Sequence, residues 1–235
     1  AQDELVRKER LATLGQLTAT ISHELRNPLS AMSPSLYVID KLCSNENAKV
    51  RQAIERLTRS IWRCDHIIDE LLDFTRITEI QRETTEIDTW LESLINEEYT
   101  PEGISISKNL QLGDFSCDID PNRLRRAVIN VFENGCQAMV DETTKETFDD
   151  ARIIISTRAT EKRFEIIVTD NGCGMSADVL ANIFEPLFST KSYGVGLGMP
   201  AIKQIMEQHG GGIDITSEEN RGSSVTLWFP CHQGE

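Results

Sequence analysis

Residues 22–29 read SHELRNPL, near the start of a long helical pattern. The imidazole of His23 stands beside the carboxylate of Glu24 and one helical turn before the amide of Asn27. Pro28 has no amide hydrogen, so the carbonyl four residues earlier loses its helical partner and the helix should bend close to His23. By itself the stretch is also consistent with an ordinary helix kink, and its meaning depends on the rest of the chain.

The first third of the chain has the apolar periodicity of two long helices. From Leu5 to about Ile80, apolar residues recur at steps of three and four, with one polar break at residues 43–47. Two such helices form an antiparallel hairpin. A single hairpin does not offer enough surface to bury the apolar stripes of both helices. We therefore expect a homodimer built around a four-helix bundle. The stripes comprise Leu11, Leu14, Thr18, Ile21, Leu25, Leu36, Ile39 and Leu42, then Val50, Ile54, Leu57, Ile61, Cys64, Ile68, Leu71 and Leu72.

The rest of the chain mixes short strand patterns with helix patterns. We place a helical hairpin over residues 1–83, a second domain over residues 84–235, and a hinge between them around Ile77–Glu86. The mixture predicts an α+β fold in which a mixed sheet is layered with helices, an α/β sandwich. The predicted strands are 86–88, 104–107, 115–119, 153–155, 164–168, 213–215 and 225–229, and the predicted helices are 90–99, 120–140 and 199–209.

Local signals support several of these elements. Asp120 and Pro121 supply a helix cap and a first-turn proline. The glycines at 210–212 should end the last helix. We expect strands 104–107 and 115–119 to pair with each other, and strands 153–155 and 164–168 to form a hairpin.

Composition narrows the function classes. The net charge of -14 argues against nucleic acid, because binding a phosphate backbone requires a basic surface. Arg123, Arg125 and Arg126 form a local basic spot that is equally consistent with a solvated helix face. The six cysteines are scattered without a CxxC pair, which indicates a reducing compartment.

The chain also lacks the pattern of a membrane span. No apolar run approaches the roughly 20 residues that cross a bilayer, so we expect a cytoplasmic protein without direct membrane contact. Its first residues already belong to a helical pattern, which predicts a fragment of a longer protein.

Two segments of the second half offer oxygen ligands. Asn130, Asn134 and Gln137 share one helix face, where amide oxygens suit Mg²⁺ and phosphate, although a polar solvent face would have the same pattern. Asp170 follows an apolar strand in the sequence DNGCGM, where a carboxylate can accept a hydrogen bond from an adenine amino group. The alternative there is an ordinary Asp-Asn-Gly turn.

Two further segments suit a mobile flap and phosphate groups. Residues 184–191 read FEPLFSTK, with two aromatics around a proline and a lysine, Lys191, that can reach phosphates. Residues 194–198 read GVGLG and open a helix, whose N-terminus favours anions. The spacing is neither a dinucleotide fingerprint nor a Walker A motif.

In this order, the four segments resemble the N, G1, F and G2 boxes of the ATP-binding domain shared by sensor histidine kinases and gyrase- and Hsp90-type ATPases. The resemblance covers roughly residues 84–232 and implies ATP and Mg²⁺ as cofactors, with Asn134 as the metal ligand and Asp170 as the adenine reader. Two departures are a short lid at residues 189–193 and Gln137, where many relatives carry a basic residue. The cofactor-binding residues implied are Asn130, Glu133, Asn134, Gln137, Asp170, Gly172, Gly174, Lys191, Gly194, Gly196, Leu197 and Gly198.

The stretch at residues 22–29 resembles the H box of a sensor histidine kinase, so the hairpin corresponds to the dimerisation and phosphotransfer domain. The resemblance implies that His23 takes the γ-phosphate of ATP and passes it to an aspartate on a response regulator receiver domain. Glu24 is interpreted as the base that accepts the proton of the other ring nitrogen. The Glu-x-x-Asn pattern ending at Asn27 is associated in the family with phosphatase activity toward the regulator, and membrane attachment of the full-length protein is also a family property.

Two other functions stay open at this point. A gyrase- or Hsp90-type ATPase would lack the upstream hairpin with His-Glu-x-x-Asn, and a silent ATP-binding scaffold would have lost His23, Asn134, Asp170 or a loop glycine. All of these residues are present. The sequence therefore predicts an ATP-dependent protein-histidine kinase with catalytic residues His23, Glu24 and Asn27.

Overall fold

The computed structural model describes residues 80–98, 100–140, 147–160, 162–190 and 196–230, together with scattered residues between 25 and 68. The chain divides into two compact units, Ala1–Thr78 with Leu187–Leu197 and Glu79–Pro186 with Gly198–Glu235. The domain bounds 1–83 and 84–235 stay a prediction.

Every described residue between 25 and 68 is helical, in agreement with the periodicity. Along the predicted stripes, Leu36, Ile54 and Ile68 are buried, whereas Leu25 and Leu57 are about half exposed, at 49% and 53%. Part of the apolar stripe therefore faces solvent in the single chain.

The second unit holds a five-stranded mixed sheet with the strand order β2-β4-β5-β7-β6. Strands β2 and β4 are parallel, and the other neighbours are antiparallel. A separate two-stranded sheet pairs β1 with β3. The strands are β1 (Glu83–Glu86), β2 (Ser105–Asn109), β3 (Ser116–Ile119), β4 (Arg152–Ala159), β5 (Arg163–Asp170), β6 (Gly212–Glu218) and β7 (Gly222–Pro230), and the helices are α1 (Ile87–Glu97), α2 (Pro121–Ala138), α3 (Ala177–Asn182) and α4 (Gly198–Gln208).

The core lies between this sheet and helices α1, α2 and α4. Alternate residues of β5 point into it, and the Phe164 ring stacks on Phe229 of β7 with ring centres 4.6 Å apart. Each fully buried side chain of this size contributes about 1.5–3 kcal/mol relative to an exposed one. The central members are Ile87, Leu91, Leu124, Val128, Phe132, Ile153, Ile155, Phe164, Ile166, Ile202, Met206, Leu227 and Phe229. The predicted α+β sandwich is therefore the fold.

The strand predicted at residues 86–88 is wrong, because Ile87 and Asp88 begin helix α1. Asp88 is buried, and its carboxylate accepts the amide N–H groups of Leu112 and Gly113 and the hydroxyl of Thr157 at 2.6–2.8 Å. These distant partners fix the first turn of the helix, and no local pattern indicates them.

The predicted pairing of strands 104–107 and 115–119 is also wrong. Strand β2 pairs in parallel with β4, where Ile106 lies beside Ile153, whereas β3 pairs with β1. Alternating residues specify which face of a strand is buried but not which strand lies beside it. Helix α3, capped by the Ser176 side chain, was not predicted.

Three local predictions are confirmed. Asp120 caps α2 by accepting the Arg123 amide N–H at 3.1 Å, with Pro121 in the first turn. Strands β4 and β5 form the expected hairpin. Helix α4 ends before Gly210, which has φ +77° and supplies the left-handed residue that many helix ends require.

Candidate nucleotide site

Helix α2 presents its amide side chains to the beginning of α4. The side-chain amide of Asn134 donates to the sulfur of Met199 at 3.8 Å. A Cβ placed on Gly198 would lie 3.6 Å from Oδ1 of Asn130. Both asparagines are half-buried, so they do not form the fully solvated face that was the alternative interpretation.

Helix α2 carries two other predicted residues, one on each side of Asn134 in the sequence. Glu133 is half-buried on this stretch, whereas Gln137 is exposed. The polar groups near the start of α4 are thus the neutral amides of Asn130 and Asn134, with the Glu133 carboxylate on the same part of the helix. Amide and carboxylate oxygens are donors that fit Mg²⁺, which prefers oxygen ligands.

Asp170, at the end of β5, is held in a fixed position by backbone groups. It is buried, and its Oδ1 accepts the amide N–H of Gly172 at 2.9 Å and that of Ser223 at 3.3 Å. Helix α2 runs directly beside it, since a Cβ on Gly135 would lie 3.8 Å from Oδ2 of Asp170. The strand-end carboxylate and the amide-bearing helix therefore border one region of the second unit.

The loop after Asp170 packs against the C-terminal end of α2. The Cys173 amide N–H donates to the carbonyl of Ala138 at 2.9 Å. A Cβ on Gly172 would lie only 2.6 Å from the same carbonyl oxygen, so no larger residue fits there without moving the loop. Gly172 thus permits a close approach between two backbones, as expected for a glycine at such a contact.

The turn between β6 and β7 holds the other side of this loop. The Asn220 amide N–H donates to the carbonyl of Cys173 at 2.7 Å, and the Met175 amide N–H donates to the Ser217 hydroxyl at 2.9 Å. Gly174 has φ +63°, and a Cβ there would collide with the carbonyl oxygen of Glu218. The loop is clamped between α2 and the β6–β7 turn.

Three positioning residues were missed by the sequence analysis. Ser217 and Ser223 join their hydroxyls at 2.9 Å, and Gly222 lets the turn approach the carbonyl of Asp170. Their partners in and before the loop after Asp170 lie far away in the chain, 42 positions for Ser217 to Met175 and 53 for Ser223 to Asp170. In the sequence they have only the pattern of a hairpin turn.

Cys136 lies on α2 beside this region and has a buried thiol. Burial, followed by the charges of Glu133 and Asp170, raises the pKa of Cys136 to about 11. A thiol with this pKa is almost entirely protonated at neutral pH, and thiolate is the reactive form. This disfavours a redox role for Cys136, whereas Cys173 is exposed.

The predicted lid segment belongs to the other compact unit. Two residues that flank the predicted lid are joined, because the Leu187 amide N–H donates to the carbonyl of Gly196 at 3.1 Å. Gly196 has φ +73°, and a Cβ there would collide with the carbonyl of Phe188. Leu197 is fully buried. Lys191 and Gly194 lie outside the described residues, so their predicted phosphate contacts stay predictions.

The predicted phosphotransfer residues also lie outside the described part of the chain. These are His23, Glu24, Asn27 and the neighbouring Pro28. Among the described residues, no helix is long and apolar enough to cross a bilayer.

The fold and the candidate site are those expected of an ATP-binding domain, and two known protein families match the chain. Residues 119–233 match the family described as histidine kinase-, DNA gyrase B-, and HSP90-like ATPase. Residues 13–80 match the His Kinase A (phospho-acceptor) domain.

One curated relative is the sensor histidine kinase ZraS of Escherichia coli strain K12. It is 32% identical over 239 residues, which cover 98% of this chain and 48% of ZraS. The chain thus spans about half the length of this relative. With both domain matches in this order, the chain belongs to the sensor histidine kinases of two-component systems.

Two solved structures share the fold at low identity. Full-length ShkA in complex with AMPPNP has a TM-score of 0.72 at 21% identity, covering 92% of this chain and 45% of ShkA. The histidine kinase ThkA in complex with the response regulator protein TrrA has a TM-score of 0.66 at 22% identity, covering 97% of this chain and 65% of ThkA.

Proposed function

We propose that this chain phosphorylates itself on His23 with ATP and then donates the phosphoryl group to an aspartate of a response regulator. One observation carries the proposal. The buried Asp170 carboxylate, held by two backbone N–H groups, borders the amide row of α2 in a chain whose residues 13–80 match a phospho-acceptor domain.

In this proposal Asp170 recognises the adenine base of ATP. Two N–H donors on one oxygen fix the direction of the carboxylate, so it presents an acceptor to the adenine amino group. Gly172 and Gly174 keep the loop close enough to line the base.

The phosphates are assigned to the start of α4 and the residues before it. Backbone N–H groups at a helix N-terminus favour anions, which suits Gly198 together with Gly194, Gly196, Leu197 and Lys191. Asn134 would hold Mg²⁺, with Asn130, Glu133 and Gln137 nearby on α2. The ion would neutralise charge on the phosphates, which is most of what phosphoryl transfer requires.

Phosphoryl transfer takes place at residues of the H box. A ring nitrogen of neutral His23 attacks the γ-phosphorus, the bond to the bridging oxygen breaks, and ADP leaves with that electron pair. Glu24 accepts the proton of the other ring nitrogen. In the second step an aspartate oxygen of the receiver attacks the phosphorus, the P–N bond breaks, and Glu24 returns the proton to His23. Asn27 is assigned to the reverse task, orienting water against the phosphorylated partner.

The exposed apolar residues of the helical region support a homodimer. Leu25, Met32, Tyr37, Ile39 and Leu57 are between 44% and 63% exposed. Large apolar side chains on a helical hairpin favour burial against a second copy. Sedimentation should give twice the chain mass of 26.5 kDa, and a monomer at micromolar concentration would contradict this part of the proposal.

A receiver domain is the proposed partner because ThkA, which shares the fold, was solved with a response regulator. A cytoplasmic location, and membrane attachment of a longer protein, are proposed from the family alone. The gyrase-type ATPase and the silent scaffold are the competing functions, and they predict different products from ATP.

Incubation of the full chain with ATP radiolabelled at the γ-phosphate and Mg²⁺ separates these functions. We expect acid-labile, base-stable protein label that is absent in His23→Ala and retained in the control His66→Ala. Asp170→Asn should lose both nucleotide binding and label. ATP turnover without label would instead indicate an ATPase, and the absence of both would indicate a scaffold.

A further inference from the structure

The side chain of His209, directly after α4, is buried and bonded at both ring nitrogens. Its Nδ1 lies 2.8 Å from the carbonyl oxygen of Ile205, and its Nε2 accepts the amide N–H of Asp120 at 3.0 Å. Only 5% of the residue is exposed, and the ring meets Phe229 edge-on. One nitrogen faces an acceptor and the other faces a donor, so this arrangement requires the neutral ring with its proton on Nδ1.

The surroundings favour that neutral state. The pKa of His209 is lowered, mainly because the ring is buried. The Ile205 carbonyl opposes this shift, as does the charge of Asp120, whereas the charges of Arg82 and Arg123 add to it. Protonation would turn Nε2 into a second donor facing the Asp120 N–H, so the bond between α4 and α2 would be lost.

Asp120 connects His209 to two further parts of the chain. Its Oδ1 caps α2 at the Arg123 amide, and its Oδ2 accepts the amide N–H of Gln81 at 3.0 Å. Asp120 is itself buried, and both of these bonds are partly buried. The same residue thus joins the end of α4, the start of α2 and the segment before β1.

Gln208 makes a second link to the same segment. Its backbone carbonyl accepts from the Arg82 guanidinium at 3.4 Å, and its side-chain oxygen accepts from Arg123. Gln81 and Arg82 belong to the hinge predicted at residues 77–86. The hinge segment is therefore bonded to both helices at one end of the α2–α4 pair.

The other end of this helix pair carries the candidate nucleotide site. Asn130 and Asn134 meet the beginning of α4 there, while Asp120 and His209 meet at the opposite end. At 1.5 Å per residue, about 15 Å of α2 separates Asp120 from Asn130. An antiparallel pair of helices thus runs from the hinge segment to the candidate nucleotide site.

We propose that His209 is a positioning residue for autophosphorylation. Through Asp120 it fixes Gln81 and Arg82 to the α2–α4 pair, so the hinge leaves the ATP-binding unit in a defined direction. We expect it to act through these hydrogen bonds and not by contact with ATP or with His23. The inference rests on the proposed kinase function, because it concerns how bound ATP is presented to His23.

Two substitutions in the full chain separate positioning from general stability. His209→Phe keeps a ring against Phe229 and removes both hydrogen bonds, whereas His209→Gln retains one donor and one acceptor. We expect His209→Phe to keep its affinity for a fluorescent ATP analogue within about twofold and to lower the autophosphorylation rate at saturating ATP about tenfold, as for loss of a buried hydrogen bond that sets a geometry. His209→Gln should recover most of the rate, and His232→Phe is the control for an added phenylalanine.

Two results would overturn the inference. One is an unchanged rate in His209→Phe, and the other is a parallel loss of ATP affinity, rate and melting temperature, which is what a purely structural residue gives. If His209→Phe does not fold, Asp120→Asn is the second variant, because its single acceptor oxygen cannot serve both Arg123 and Gln81. It should likewise lower the rate and not the affinity, and an unchanged rate would again overturn the inference. Absence of label in the wild-type chain would instead contradict the proposed function.

Discussion

Two glycines with left-handed backbones differ in what surrounds them. Gly174 has φ +63° and faces the carbonyl of Glu218, whereas Gly113 has φ +59° and open space, with no atom within 4 Å of where a Cβ would lie. Gly113→Ala should cost only the left-handed strain of about 1–2 kcal/mol and leave ATP affinity unchanged. Gly174→Ala must also displace the loop after Asp170, so ATP binding should weaken markedly. Calorimetric titration with ATP compares the two, and equal affinities would contradict the role given to the β6–β7 turn.

The neutral ring of His209 predicts a pH dependence of stability. Because its folded pKa is lowered, the unfolded chain takes up this proton first as pH falls. The free energy of unfolding should therefore be highest above about pH 6.5, the usual pKa of histidine, and decrease from there toward the lower pKa of the folded state. Urea unfolding across this range measures the slope, which should be shallower in His209→Gln. Identical slopes in the two proteins would show that His209 is not held neutral.

At the scale of single residues, the sequence identifies those whose role is indicated by their immediate neighbours in the chain. Asp120 indicates a helix cap beside Pro121, and Asp170 stands at a strand end before two glycines. Ser223 carries no such signal, because its bond to Asp170 spans 53 positions. His209 has only the pattern of a helix-end residue, and its Asp120 partner lies 89 positions away.

At the scale of elements, Asp88 joins the start of α1 to β4 and to the loop before β3. Its carboxylate accepts two backbone N–H groups and the Thr157 hydroxyl. Asp88→Ala would remove the acceptor of the buried Thr157 hydroxyl and of two partly buried backbone N–H groups. An unsatisfied buried group costs about 1–3 kcal/mol, so we expect at least one such loss from the Thr157 hydroxyl. The control Thr157→Ser keeps its hydroxyl and should be much milder. Urea unfolding measures the free energy of unfolding of both variants. A loss below about 1 kcal/mol in Asp88→Ala would contradict the role given to the Asp88 carboxylate.

Helix and strand identity followed from periodicity more reliably than strand pairing did. The hairpin β4–β5 was predictable because its strands are close in sequence and flank a short turn. The parallel pairing of β2 with β4 depends on the core that both strands share with the helices, and sequence alternation does not encode it. The start of α1 at Ile87 likewise depends on distant partners of Asp88.

At the scale of the whole molecule, the H box is expected to serve two opposing reactions. Pro28 has no backbone N–H to donate, so we expect a bend in the predicted helix close to His23 and Asn27, and we expect this bend to set the balance between kinase and phosphatase activity. Pro28→Ala should restore the helical bond and change the ratio of autophosphorylation to dephosphorylation of a phosphorylated receiver. Ser33→Ala, five residues later in the sequence, is the control. An unchanged ratio in Pro28→Ala would count against the bend as the switch.

The central claim is that the site around Asp170 supplies phosphate to His23 of the same protein. The most direct measurement locates the phosphate after incubation with ATP and Mg²⁺, by mass spectrometry of peptides kept at alkaline pH. We predict a single phosphohistidine on the peptide containing His23, absent in Asp170→Asn. Phosphate on another residue, or on His23 in the Asp170→Asn chain at the wild-type rate, would contradict it.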